Sequence, residues 1–195
     1  YIALAIIGLF VSGCIENDLP YPKIQQNILS LAAKGELSSA SIDAKALTAE
    51  IHLAENVNIK QVSFSDYTYT DGASSSIDLL EGTYDLSSPM KVVLTNYQSY
   101  EWVISATQSI ERYFTIAGQI GETTIDPIGH RVVLYVPNNL NKKSLQITSI
   151  KLGPADVTTM EPALEAGEYD FSKPVQVKVS YFDVEEDWTI YVDTT

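Results

Sequence analysis

Gly82-Thr83-Tyr84-Asp85-Leu86-Ser87-Ser88-Pro89 returns 85 positions later as Gly167-Glu168-Tyr169-Asp170-Phe171-Ser172-Lys173-Pro174. An element recurring at this distance marks a duplicated domain, because solenoid repeats run only about 20–50 residues. Upstream of the element, a shift of 83 carries Gly35 to Gly118, Ile42 to Ile125, Asp43 to Asp126, Ile51 to Leu134 and Phe64 to Ile147. Downstream, one more inserted residue sets Trp102 on Trp188 and Ile104 on Ile190. Offsets that grow in small steps are what loop insertions between strands leave behind.

Within each copy the apolar residues alternate with a period of two, the signature of half-buried strands. One face takes Ala49, Ile51 and Leu53, then Val62 and Phe64, then Met90, Val92 and Leu94, then Trp102, Ile104 and Ala106. The second copy repeats this with Val132, Leu134 and Val136, Leu145 and Ile147, Val175, Val177 and Val179, and Trp188, Ile190 and Val192. Turn signals separate these runs at Asp71-Gly72, Pro137-Asn138-Asn139 and Gly153-Pro154. Short strands at this spacing predict an all-β chain of two tandem immunoglobulin-like β-sandwich domains, 25–108 and 109–195. The paired cysteines of antibody-type domains are absent. In the duplicated element, Gly is read as the turn, Tyr and Leu or Phe point inward around Asp, and Pro opens the next strand. Recurrence in both copies favours a structural corner over a site. The junction Thr107-Gln108-Ser109-Ile110-Glu111-Arg112 holds no Pro or Gly, which predicts a stiff end-to-end tandem.

The 195 residues carry a formal net charge of -13. That balance argues against nucleic acid as a partner, since phosphate contacts need clustered Lys and Arg. It also opposes electrostatic adsorption to an anionic membrane. The single cysteine, Cys14, allows no internal disulfide.

Cys14 stands after an uncharged apolar run, Ile2 to Val11, too short to span a bilayer but of signal h-region length. No Met opens the chain and no Lys or Arg precedes the run, so 1–13 reads as an N-terminally truncated signal peptide. Val11-Ser12-Gly13-Cys14 resembles the bacterial lipobox. The resemblance implies cleavage before Cys14 and acylation of its thiol, with membrane lipid as the partner. Residues 14–24 then form a lipidated tether, acidic at Glu16 and Asp18 and kept extended by Pro20 and Pro22.

Catalytic groupings are scarce. His52 should face outward between Ile51 and Leu53, and His130 sits in the turn Gly129-His130-Arg131. No zinc-type spacing, phosphate loop or nucleophile elbow occurs, so no cofactor, metal or catalytic residue is assigned. The carboxylate run Asp183-Val184-Glu185-Glu186-Asp187 reads as a solvated hairpin tip, or at most a loose Ca²⁺ site. Trp102 and Trp188 occupy equivalent inward positions and read as core. Tyr97 and Tyr100 are taken as lying off the inward parity, which makes them candidate ligand-binding rings. Tyr135 and Tyr191 are further candidates for exposure.

The mature chain as a whole resembles the N-terminal half of Bacteroidetes outer-membrane lipoproteins named for a carbohydrate-metabolism domain. The resemblance rests on Cys14 to Pro22, Ile110-Glu111-Arg112-Tyr113-Phe114, Gly118-Gln119-Ile120-Gly121, Ser149 to Pro154 and Trp188-Thr189-Ile190-Tyr191-Val192. It implies two immunoglobulin-like modules preceding a jelly-roll-like domain beyond Thr195 that handles glycans. The expected function is a non-catalytic stalk, lipid-anchored in the outer membrane and facing either the cell surface or the periplasm. Two alternatives stand beside it. One is direct glycan binding through exposed tyrosines, and the other is an adhesin or pilus-like component.

Overall fold

A computed structural model describes residues 24–195. The signal segment, Cys14 and nearly all of the tether lie outside the described residues. Among the described residues there is no helix, and fifteen strands follow one another. They are β1 (Ile28–Ala33), β2 (Glu36–Asp43), β3 (Thr48–Leu53), β4 (Phe64–Tyr69), β5 (Ser74–Ser75), β6 (Met90–Thr95), β7 (Ser99–Gln108), β8 (Tyr113–Ile116), β9 (Ile120–Asp126), β10 (Arg131–Val136), β11 (Leu145–Lys151), β12 (Thr159–Glu161), β13 (Gly167–Tyr169), β14 (Val175–Tyr181) and β15 (Val184–Thr194).

The strands form two sandwiches of matching topology. In the N-terminal one, β1 and β4 pair antiparallel and face a five-stranded sheet ordered β2-β3-β7-β6-β5. In the C-terminal one, β13-β11-β8 faces β12-β14-β15-β10-β9. The strand β13 answers an isolated bridge between Val62 and Tyr84, whose counterpart is the pair Leu145 and Tyr169. Each five-stranded sheet contains one parallel pairing, β3 with β7 and β10 with β15. Leu53 therefore lies beside Gln108 at one end of the N-terminal sandwich, while the β6–β7 hairpin tip lies at the other.

Alternation explains both cores. Trp102, Ile104, Val92, Ile51 and Ala49 are fully buried in the first, and Trp188, Ile190, Leu134, Val132 and Ile147 in the second. Met90, Ala106 and Val175 pack at the margins, half-buried. The two buried clusters share no residue. Burying a Trp or Ile side chain contributes about 2–3 kcal/mol, so each cluster can hold its sheets together without a disulfide.

The duplicated element is a corner. Asp85 Oδ1 accepts from the Ser87 backbone N–H at 2.9 Å and from its hydroxyl at 2.6 Å, and Asp170 Oδ1 accepts from Ser172 N–H at 2.8 Å. These are Asx turns, which fold the chain back before Pro89 and Pro174. The two glycines differ. Gly82 takes a left-handed φ of 88°, whereas Gly167 lies within β13 and shows no such conformation, because pairing with Ile147 keeps it extended.

Candidate functional site

The joint between the sandwiches holds a set of polar contacts that link residues far apart in the chain. The loop after β3 carries Glu55 to the end of the N-terminal sandwich. Gln108, the last residue of β7, fixes that loop by donating its side-chain amide to Ala54 O (2.6 Å) and Val57 O (2.8 Å). Gly35 lets the loop pack closely. Its φ is 80°, and a Cβ there would meet Val57 Cγ2 at 2.4 Å.

From this platform the Glu55 carboxylate reaches the next sandwich. It accepts from Lys151 Nζ (2.6 Å to Oε1 and 2.7 Å to Oε2), from Ala155 N–H (3.1 Å) and from Glu111 N–H (3.2 Å). Both charged side chains are largely buried, 20% exposed for Glu55 and 14% for Lys151. The Lys151 hydrogen bond holds the Glu55 carboxyl below its ordinary range, opposed by desolvation and aided by the two backbone donors. A second pair, Lys60 to Asp183 at 2.6 Å, crosses the joint in the open and contributes little.

Behind the joint lies a second network, built on Glu186. Sequence reasoning placed this residue in a solvated tip. The structure corrects that: β15 already starts at Val184, and Glu186 shares inward parity with Trp188 and Ile190. Its Oε2 accepts from the Trp188 indole N–H at 2.8 Å, and its Oε1 from the Tyr181 hydroxyl at 2.7 Å. Arg112 Nη2 and His130 Nε2 stand 3.8 and 3.9 Å from Oε1. Arg112 also donates through Nε to Leu152 O at 2.7 Å and lies over the Trp188 ring, 5.6 Å from its centroid. The His130 ring packs against the same indole, with centroids 5.4 Å apart. Burial, together with the Glu186 carboxylate as acceptor, pushes the Tyr181 phenol up to about 12.

In the N-terminal sandwich the equivalent Trp102 donates instead to Gln26 O at 2.9 Å, and Tyr100 stands where Glu186 stands in the second copy. Tyr100 is the other correction. It shares parity with Trp102, packs half-buried on the core and donates to Gln98 Oε1 at 3.2 Å. Tyr97 is 99% exposed at the hairpin tip. The two candidate rings do not form one platform.

His52 is outward, as its parity requires, and bonds Thr107 through Nδ1. His130 occupies its turn with φ 49°, matching the left-handed Leu47 (58°) of the first copy. Among the described residues no three His, Cys, Asp or Glu side chains gather to hold a metal ion. A depression of about 410 Å³ on the outward face of β14 and β15 is bordered by Glu161, Gln176, Lys178, Asp187 and Thr189. Glu186 does not border it.

No family model matches the chain. No curated protein matches it either. Among solved structures it is similar to one described as a "putative glycoside hydrolase" from Bacteroides thetaiotaomicron, with 19% identity and a TM-score of 0.40. That similarity covers 58% of this chain and 35% of the other.

Proposed function

We propose that this chain is a non-catalytic spacer: a lipoprotein acylated at Cys14 whose two sandwiches hold a glycan-associated partner or following domain away from the outer membrane. The observation that carries it is the Glu55 clasp, a shielded carboxylate of the first sandwich that takes two donors from the second, Lys151 and Ala155, and one from the junction, Glu111. The clasp lies at the Gln108 end of the N-terminal sandwich and at the Asp183-tip end of the C-terminal one. The two modules therefore stack in the same sense, end to end. Ten-residue strands such as β7, rising ~3.3 Å per residue, make each module about 33 Å long, and the pair roughly 70 Å. Rigidity at the joint is what a spacer needs and a swivel lacks. Metabolic labelling with a radioactive fatty acid, lost on Cys14→Ala, tests the anchor. Small-angle scattering of the Cys14→Ser protein tests the shape, and a compact side-by-side particle would contradict the spacer.

A second reading has its own observation. On the outward face of the C-terminal five-stranded sheet, Tyr191 pairs with Val133 and Tyr135 with Asp193, while Ile120 pairs with Tyr135 from the edge strand. The equivalent first-copy positions are Ser105, Glu50, His52 and Leu37, so only the edge-strand position is apolar in both copies. The aromatic part of this stripe, Tyr135 and Tyr191, belongs to one copy and is the surface through which this protein would stack on a sugar chain. Retention on a polysaccharide gel, abolished by Tyr135→Ala with Tyr191→Ala, would support it; elution with the void volume would reject it.

A further inference from the structure

We infer that the free end of the N-terminal sandwich, tipped by Tyr97, rests on the lipid headgroup layer and sets the tandem upright on the membrane. The inference depends on the anchor proposed at Cys14 and goes beyond it by assigning a surface.

Internal duplication carries the argument. In the C-terminal sandwich the β14–β15 tip, Phe182-Asp183, points at the module that precedes it, and Asp183 bonds Lys60 there. The corresponding tip of the N-terminal sandwich is Asn96-Tyr97-Gln98, between Thr95 and Ser99. No described module precedes it, and Tyr97 is 99% exposed. Ile24, in the segment that leads into β1, and Leu29, on β1 itself, are 64% and 62% exposed. The chain is pinned there: the Gln25 side-chain amide bonds the Ala44 carbonyl, and Gln26 O takes the Trp102 indole N–H. In one copy this end is capped by its predecessor. In the other it presents an aromatic ring and two aliphatic side chains to whatever precedes Ile24.

What precedes Ile24 in the sequence is the tether from Cys14. Its ten residues span at most about 36 Å when fully extended. An acylated Cys14 therefore keeps this end within that distance of the bilayer surface. A net charge of -13 opposes an electrostatic attachment to an anionic surface. Tyrosine, with an apolar ring and a polar hydroxyl, suits the membrane–water interface. The surface we assign is thus aromatic and apolar, and its partner is the interfacial layer of the anchoring membrane.

The sole cysteine permits a direct test. The mature chain, Cys14 to Thr195, is coupled through Cys14 to vesicles containing a maleimide-bearing phospholipid, with and without brominated acyl chains. Tyr97→Trp supplies the reporter, and Asn139→Trp, in the loop at the far end of the C-terminal sandwich, is the comparator. Trp102 and Trp188 are fully buried and give a constant background. The expected result for Tyr97→Trp is a blue-shifted emission from the new indole that loses about half its intensity to bromine, as interfacial aromatics require. The indole introduced by Asn139→Trp should be unchanged. Solvent-like, unquenched emission at position 97 would overturn the assignment. So would equal quenching at both positions, or a shift that appears without vesicles as protein concentration rises. Chemical coupling supplies the anchor, so this result is independent of fatty-acid incorporation in cells. Either proposal can fail alone.

Discussion

Glu55 and Lys151 meet at 2.6 Å although they belong to different sandwiches and stand 96 residues apart in the chain. The contact is shielded on both sides, and two backbone N–H groups, one from the second sandwich and one from the junction, complete the carboxylate's shell. A single carboxylate thus gathers contacts from both sides of the joint between the two buried cores.

Glu55→Ala should uncouple them. It leaves Lys151 and the Ala155 N–H without an acceptor, a loss of about 1–2 kcal/mol after allowing for residual solvent access. Both cores should keep their stability, because neither Trp102 nor Trp188 is touched. NMR relaxation should show the two halves moving from a common tumbling time to separate, shorter ones.

The same joint should respond to acid. The Glu55 carboxyl titrates below its ordinary value of 4.5 in the folded chain, so its contribution is fully present above that value. It is lost as pH falls through the lowered folded value. Scattering curves recorded from neutral pH downward should hold one shape until the pH falls below the ordinary value of 4.5 and then broaden. The Glu55→Ala protein should lack that transition.

Glu186→Ala should be more damaging and confined to the C-terminal half. It strands the Trp188 indole N–H and the Tyr181 hydroxyl, and it removes the counter-charge of the largely buried Arg112. A cost of about 3–4 kcal/mol is expected, read as a lower urea midpoint for the C-terminal sandwich alone. Glu186→Gln, which keeps the acceptor oxygen, should recover part of it.

Spectrophotometric titration should find one tyrosine ionising at about 12 that falls back toward 10 in Glu186→Gln. Because the folded value is raised, the phenol's contribution is complete below pH 10 and disappears as pH rises through 12.

Gly35→Ala and Gly118→Ala occupy equivalent turns, with φ of 80° and 77°. Each should cost about 1–2 kcal/mol for the left-handed backbone alone. Gly35→Ala should cost more, since its Cβ would stand 2.4 Å from Val57, against 3.1 Å from Leu140 for Gly118. It should also loosen the joint, because Val57 belongs to the loop that presents Glu55. Paired denaturation curves and relaxation measurements separate the two effects.

The strands and both cores were legible because period-two alternation survives wherever the inward residue is aliphatic or aromatic. The Trp102 and Trp188 equivalence alone placed the last strand of each sandwich. Glu186 was obscured by its neighbours: a run of carboxylates reads as solvent-facing, yet counting back two from Trp188 puts it inside. Counting back two from Trp102 likewise puts Tyr100 on the core. Glu55 had no comparable signal. Ala54-Glu55-Asn56 is an ordinary loop sequence, and its partners are fixed only when two sandwiches stack.

The exit strand of each sandwich is the middle strand of its five-stranded sheet. β15 runs parallel to β10 over six register pairs and antiparallel to β14 over seven. Tension applied at Thr195 along the long axis therefore drags β15 lengthwise between two neighbours. Their hydrogen bonds lie across the pull, so they are strained together and not peeled in turn. β7 sits the same way between β3 and β6. Traction applied at Thr195 thus meets each sandwich along its most resistant direction.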